Sequence, residues 1–288
     1  MLAPAKINLT LEVLARRDDG YHALRSVMVP IGLADELAFE PSERFTFDCD
    51  PPSLAPENLV TRAFARIGLA AAPVGVTLRK RIPAGAGLGG GSSDAALVLR
   101  AAMSGVLGDP GDRDWVSDAR ALGSDVPFFL ADGPALVEGT GERVTALAAP
   151  PAWWVALLIP AAHVDTGEAY AALARARSGA PLETRPRSTS ATLRCAEALQ
   201  RRDYDAVLAA MTNDFEEVVR TAYRPVDAAL RALGEAGAPG RPMLSGSGVA
   251  CFALFAGEAD ARTFAERVRL PPGAALHVVP FARSTVWR

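Results

Sequence analysis

Lysine is nearly absent from this chain of 288 residues. Of its 30 basic residues, only Lys6 and Lys80 are lysine. Arginine stands almost wherever a solvated positive charge suffices, so the two lysines mark positions that want a compact ammonium rather than a planar fork. Cysteine is scarce as well. Cys49, Cys195 and Cys251 lie far apart, with no Cys-x-x-Cys spacing, which speaks against a disulfide framework and fits a reducing compartment. His22, His163 and His277 are equally scattered, so no zinc site built by the protein is expected. No apolar run approaches the roughly 18 residues of a membrane span, and the longest, at 152–160, reads as a buried strand. The start of the chain has no cationic segment leading into an apolar stretch, and a cytoplasmic protein is expected. A formal charge of −3 excludes a broad nucleic-acid-binding face, which needs clustered positive charge. It leaves room for a local site that takes a small phosphorylated molecule.

What is present is a mixed α+β pattern, half of it apolar, enough to bury a sizeable core. Residues 5–13 alternate apolar and polar, the period of a half-buried strand with Lys6, Asn8 and Thr10 on one face. Further strands are expected at 27–31, 36–40, 44–48 and 74–78. Helices are expected at 58–71, 92–103 and 113–122. Pro127-Phe128-Phe129-Leu130 and residues 135–138 read as strands on either side of Asp132-Gly133-Pro134. Proline at 150 and 151 punctuates the chain, which suggests two domains, 1–150 and 151–288. In the second, helices are expected at 168–177, 191–209 and 225–234, with a surface loop at 178–190. A strand–helix–strand unit over 249–255, 258–268 and 275–281 closes the chain.

The strongest feature is Pro83-Ala84-Gly85-Ala86-Gly87-Leu88-Gly89-Gly90-Gly91-Ser92-Ser93, five glycines in seven positions running into a helix. Glycine admits the positive φ angles that turn successive backbone amides toward one point. The helix start adds free N–H groups and the positive end of its dipole, so the segment makes a cradle for phosphate. Ser92 and Ser93 can cap the helix or donate hydroxyls to phosphate oxygens. No lysine follows the last glycine, so the Walker loop is excluded. The dinucleotide fingerprint fits only nominally, because no acidic residue ends a second parallel strand. Lys80, between Arg79 and Arg81, adds local positive charge and is a candidate to reach a bound nucleotide.

Pro4-Ala5-Lys6-Ile7-Asn8-Leu9, the loop from Pro83 to Ser93, and Leu244-Ser245-Gly246-Ser247-Gly248 resemble the three motifs of the GHMP kinases in order and spacing. Asp19-Gly20-Tyr21-His22, Gly123-Ser124-Asp125-Val126-Pro127-Phe128-Phe129 and Glu138-Gly139-Thr140-Gly141-Glu142 resemble one branch of them, whose substrate carries a cytidine diphosphate group. The resemblance spans essentially the whole chain. It implies an N-terminal domain with a left-handed βαβ crossover, a ferredoxin-like C-terminal domain and an active-site cleft between them. It also implies ATP as co-substrate with Mg²⁺, and phosphorylation of a substrate hydroxyl in the non-mevalonate route to isoprenoid precursors. Lys6 and Asp125 would be the catalytic pair, with residues 83–93 around the phosphates. Tyr21 and His22 would recognise cytosine, Tyr170 would form a second aromatic wall near Thr166, and Asn8 would meet the hydroxyl end of the substrate. The alternatives are a mevalonate- or homoserine-type kinase of the same family and a non-catalytic nucleotide-binding sensor. Two departures from the family pattern stand out: Asp94, where asparagine is frequent, and Ser245-Gly246-Ser247-Gly248, which has serine where threonine is common.

Overall fold

The computed structural model describes residues 1–16, 22–108, 110–148, 152–177 and 187–282. The Asp18-Asp19-Gly20 turn, the prolines at 150 and 151 and most of the 178–190 loop lie outside them. The first half of the chain runs β1 (Leu2–Arg16), β2 (His22–Pro41), β3 (Thr46–Asp50), α1 (Leu59–Arg66), β4 (Val74–Arg79), α2 (Gly90–Met103), α3 (Trp115–Leu122), α4 (Val126–Leu130), β5 (Ala135–Gly139) and β6 (Arg143–Ala146). There follow β7 (Trp154–Ile159), α5 (Thr166–Ala176), α6 (Ala191–Gln200), α7 (Tyr204–Ala210), β8 (Thr212–Asn213), α8 (Glu216–Ala222), α9 (Arg224–Glu235), β9 (Met243–Leu244), β10 (Cys251–Phe255), α10 (Glu258–Arg267) and β11 (Ala275–Pro280). Among the described residues, no helix is long and apolar enough to cross a membrane.

Two sheets organise these elements. A seven-stranded sheet has the order β3-β4-β2-β1-β8, with β5 on β2 and β6 on β5, and a four-stranded sheet has the order β11-β7-β10-β9. The short strand β8 comes from the second half of the chain and pairs in parallel with Thr10 and Leu11 of β1. The two halves therefore share a sheet edge, and one apolar cluster runs from Ile7, Leu9 and Leu11 of β1 into Val155, Leu157 and Phe252 of the second sheet.

Strand β1 departs from the half-buried reading. Residues Ala3 to Val13 are all buried, Lys6, Asn8, Thr10 and Glu12 among them, and none of these four is more than 3% exposed; a register shift between Asn8 and Thr10 breaks the simple alternation. These polar groups are covered and satisfied by several elements: Lys6 by the glycine loop, and Glu12 by the Ser190 hydroxyl and the Ala191 amide at the start of α6, at 2.6 and 2.9 Å. The Thr10 hydroxyl accepts from the Val27 amide at 3.0 Å, and the Ser26 hydroxyl donates to the Thr10 carbonyl at 2.6 Å. Alternation correctly located the strand but not its surroundings.

Residues 127–130 are a second correction, since they form helix α4 rather than a strand. Pro127 suits a first helical turn, where no intrahelical N–H is required. Phe128 and Phe129 are both fully buried, with rings edge-on at 4.9 Å. In a strand, neighbouring side chains point to opposite faces; a helical turn lets both reach one core. The expected helix over 191–209 is two helices. Arg202 adopts a left-handed conformation (φ 59°), and the Asp203 carboxylate caps α7 by accepting from the Ala206 amide at 3.0 Å. Strands 27–31 and 36–40 belong to one long strand, β2, while β6, β8, β9 and α8 have no counterpart in the sequence reading.

Phe129 also supports the site, because its ring lies against Gly89 of the glycine loop. Phe129→Ala is expected to cost about 3–5 kcal/mol. Urea unfolding of the variant against the parent chain checks this value, and a loss below about 1 kcal/mol would show that the ring does not hold the loop in place.

Candidate functional site

The glycine loop owes its shape to three left-handed positions: Gly85 (φ 73°), Gly87 (φ 82°) and Gly89 (φ 72°). Its carbonyls are bound to the body of the protein. Leu88 accepts from the Lys6 amide at 2.9 Å, Ala86 from the Ala250 amide at 3.0 Å and Gly87 from the Lys6 ammonium at 2.8 Å. Among the described residues, the amides of Gly87, Leu88 and Gly89 meet no acceptor of the protein. Unpaired amides gathered in a turn ahead of a helix start are an anion cradle. The three residues line a cavity of about 440 Å³ that is bounded by the loop and by Leu54, Glu57, Asn58, Leu59, Lys80 and Asp94.

The third motif packs under this loop with no room to spare. A Cβ on Gly87 would run into the Ser245 carbonyl and lie 3.0 Å from the Gly248 amide nitrogen. The motif is anchored in turn by Asn213, whose side-chain amide donates to the Leu244 and Gly246 carbonyls at 2.8 and 2.7 Å. The Glu216 carboxylate accepts from the Leu244 amide at 3.1 Å. Neither residue was anticipated: Asn213 lies in β8 and Glu216 opens α8, two short elements with no counterpart in the sequence reading.

Lys6 is the hub of the site. Besides Gly87, its ammonium donates to the Asn8 side-chain oxygen at 2.6 Å and pairs with the Asp125 carboxylate at 3.5 Å. Asp125 stands at the start of α4, yet its carboxylate makes no capping bond to that helix, and it remains 30% exposed. Asn8 differs from the sequence expectation. It is 1% exposed, and its amide donates to the Ser26 hydroxyl at 2.8 Å. Both ends of the side chain are engaged inside the protein, one with Lys6 and one with Ser26.

Lys80 departs further. Its ammonium turns inward to Asp35 and to Asp94, at 2.7 Å from the latter. Asp35 is fully buried and also accepts from the Arg81 and Ile82 amides, where the chain enters the loop. The lysine lines the loop cavity with its charge shared between these two carboxylates. Burial opposes its charge, but the two carboxylates outweigh burial and raise its pKa above that of an ordinary lysine. Of the two serines, Ser92 lines the cavity, whereas Ser93 is 2% exposed and does not.

The aromatic residues meet near Asp125. His22 and Tyr170 are stacked with ring centroids 5.4 Å apart, and Tyr170 lies edge-on to Phe215 at 4.8 Å. Burial raises the Tyr170 pKa first, and the nearby Asp125 charge adds to it. Tyr21 lies outside the described residues. The Thr166 hydroxyl meets that of Ser247 at 3.3 Å, on a recess of about 240 Å³ that also includes Gly85 and His163.

Comparison with known proteins places the chain in a family. The chain matches the family model described as GHMP kinases N terminal domain over residues 58–133 and that described as GHMP kinases C terminal over residues 195–271. It is 40% identical over 281 residues to a 4-diphosphocytidyl-2-C-methyl-D-erythritol kinase of a Geobacter species, with 95% of each chain covered. To the kinase of the same name from Symbiobacterium thermophilum it is 38% identical over 273 residues, covering 92% of this chain and 93% of the relative. A crystal structure of 4-(cytidine 5'-diphospho)-2C-methyl-D-erythritol kinase superposes with a TM-score of 0.77 at 35% identity, over 98% of this chain and 99% of that one. A homoserine kinase from Cytophaga hutchinsonii superposes with a TM-score of 0.70 at 19% identity, over 99% and 94%; that likeness concerns the fold alone.

The contact between the two glycine motifs makes a direct prediction. Gly87→Ala places a side chain at positive φ against the Ser245 carbonyl, and is expected to cost about 1–3 kcal/mol. It should also abolish ATP binding by displacing the cradle. Calorimetric titration with ATP on a variant whose far-ultraviolet dichroism is unchanged tests the second point. Binding at parental affinity would mean that the loop tolerates the shift.

Proposed function

The chain belongs to the GHMP kinases and is an ATP-dependent kinase of small molecules, and we propose that it phosphorylates 4-diphosphocytidyl-2-C-methyl-D-erythritol on a hydroxyl, in the route to isoprenoid precursors that does not use mevalonate. Relatives of that name along nearly the full chain support the substrate. The observation that carries the mechanism is Lys6, whose single ammonium touches both the Gly87 carbonyl of the phosphate cradle and the Asp125 carboxylate.

Phosphoryl transfer asks a protein mainly for positioning and for charge stabilisation. The glycine loop would hold the β- and γ-phosphates on its unpaired amides, with the start of α2 behind them and Ser92 at the rim. Asp125 would accept a hydrogen bond from the substrate hydroxyl and take its proton as the oxygen attacks phosphorus. Lys6 would keep that carboxylate ionised and set its orientation, and Asn8 would hold Lys6 in turn. Mg²⁺ would enter on the phosphates of ATP and neutralise part of their charge. Among the described residues, no group of three His, Cys, Asp or Glu side chains is placed to hold a metal ion, and this cation commonly rides on substrate phosphates with few protein ligands.

The stacked His22 and Tyr170 would provide the aromatic surface for the cytosine ring, with Tyr21 beside them. An aromatic wall serves a base because stacking needs only a π face, and hydrogen bonds to its edge then choose among bases. Thr166, next to the phosphate loop, would border the diphosphate of the substrate.

The test is phosphorylation by purified protein with ATP and Mg²⁺, offering the cytidyl substrate, mevalonate and homoserine in parallel. Turnover is expected on the first alone; turnover on either of the others would discard the cytosine reading and keep the kinase. Asp125→Asn should lower kcat by about 10²–10⁴-fold while ATP affinity and the unfolding midpoint stay near parental values. An unchanged kcat would remove Asp125 from the mechanism. Tyr170→Ala should raise KM for the cytidyl substrate more than it lowers kcat.

A further inference from the structure

Beneath the phosphate cradle, two buried carboxylates share one ammonium. Lys80 carries a single positive charge between Asp35 and Asp94, and the residues are 0% and 1% exposed at Asp35 and Asp94. The two acids are not equivalent. Asp35 is fully engaged, accepting from Lys80 and from the Arg81 and Ile82 amides. Asp94 gives one oxygen, Oδ2, to Lys80, while its Oδ1 is buried with no hydrogen-bond partner. Asp94 also lines the cavity behind the glycine loop. A carboxylate with an orphaned buried oxygen is poorly placed to remain charged. Phosphates arriving in the same cavity would bring further negative charge close to it.

We propose that Asp94 is a positioning residue of the nucleotide site whose Oδ1 takes up a proton from solvent as ATP binds, so that ATP binding by this enzyme is linked to proton uptake. No bond other than the new O–H is made or broken. The product is a neutral carboxyl still bonded to Lys80, under a loop that then carries one negative charge fewer. The inference rests on the reading that the glycine loop holds the phosphates of ATP.

The surroundings of Asp94 support this assignment. The charged groups that act on it are Lys80 at the end of β4 and Asp35 of β2, with the Cys49 thiol of β3 beyond them. Glu57 borders the same cavity. Other charges on the elements packed around α2 are engaged elsewhere: Lys6 with Asp125, Arg66 with Asp118, and Arg100 with the Leu130 carbonyl. Burial raises the Asp94 pKa, Lys80 lowers it and Asp35 raises it, leaving it at about 7 in the free protein. Like charge from bound phosphates pushes it higher still. The complex then holds more protons than the free protein. Affinity for ATP is accordingly greatest below this pKa and falls as the pH rises through it.

The test is calorimetric titration of ATP into the full chain in two buffers of different ionisation enthalpy, with Asp94→Asn in parallel. With a pKa of about 7 in the free protein, the parent should take up about half a proton per nucleotide at that pH, and its affinity should fall about fivefold over the next pH unit. Asp94→Asn, of the same shape and unable to titrate, should lose both effects. In steady state the same slope should appear in KM for ATP and be absent from kcat, which a purely structural role would not produce. Binding by the parent without proton uptake overturns the proposal whatever the variant does, as does an equal uptake in both proteins. Absence of ATP binding by the parent at every pH would instead remove the underlying reading of the loop, and the proposal with it.

Discussion

A buried ammonium cannot stand alone. Removing the Lys6 charge from water costs several kcal/mol unless partners replace the lost solvation, and the partners come from three separate stretches of chain. Asn8 stands two residues along β1, Gly87 belongs to the glycine loop and Asp125 opens α4. Strand, loop and helix must therefore be in register before this lysine is satisfied. The geometry that serves phosphoryl transfer is thus also a condition of the fold.

The same demand explains why the loop is held so closely. Its glycines bring the backbone against Ser245 and Gly248, too near for any side chain. The loop carbonyls are spent on the protein, leaving amides for the ligand. Asn213 and Glu216 then hold the third motif from behind. Because β8 pairs with β1, the residue that anchors this motif, Asn213, sits on the sheet that carries Lys6. The two halves of the chain meet at the cradle, and rigidity there follows from short connections rather than from any one strong bond.

The two lysines answer one question in different ways. Both are placed where a planar guanidinium would not satisfy partners on several sides. Lys6 meets a carbonyl, an amide oxygen and an exposed carboxylate, and keeps contact with the site. Lys80 meets two buried carboxylates at the wall of the cavity. Asp94, which looks like a charge set against the phosphates when read in sequence, finds its counter-charge in Lys80. Only the count of charges within the buried cluster shows that this compensation is incomplete.

The chain itself determined the cradle, because glycine at 85, 87 and 89 is required wherever positive φ is required, and no partner elsewhere changes that. It likewise determined β1, whose alternation is local, and the compact-charge positions at Lys6 and Lys80. The family motifs brought Asp125, His22 and Tyr170 into one reading before any fold was known. Tertiary structure alone decided which way polar side chains face: Asn8 and Ser93 inward, Ser92 to the cavity, Lys80 onto Asp35 and Asp94. It also turned 127–130 into a helix, since two adjacent phenylalanines could share one core only that way, and broke 191–209 at Arg202. Orientation and pairing depend on groups distant in sequence, and their energies are settled by burial, which exists only once the elements have packed.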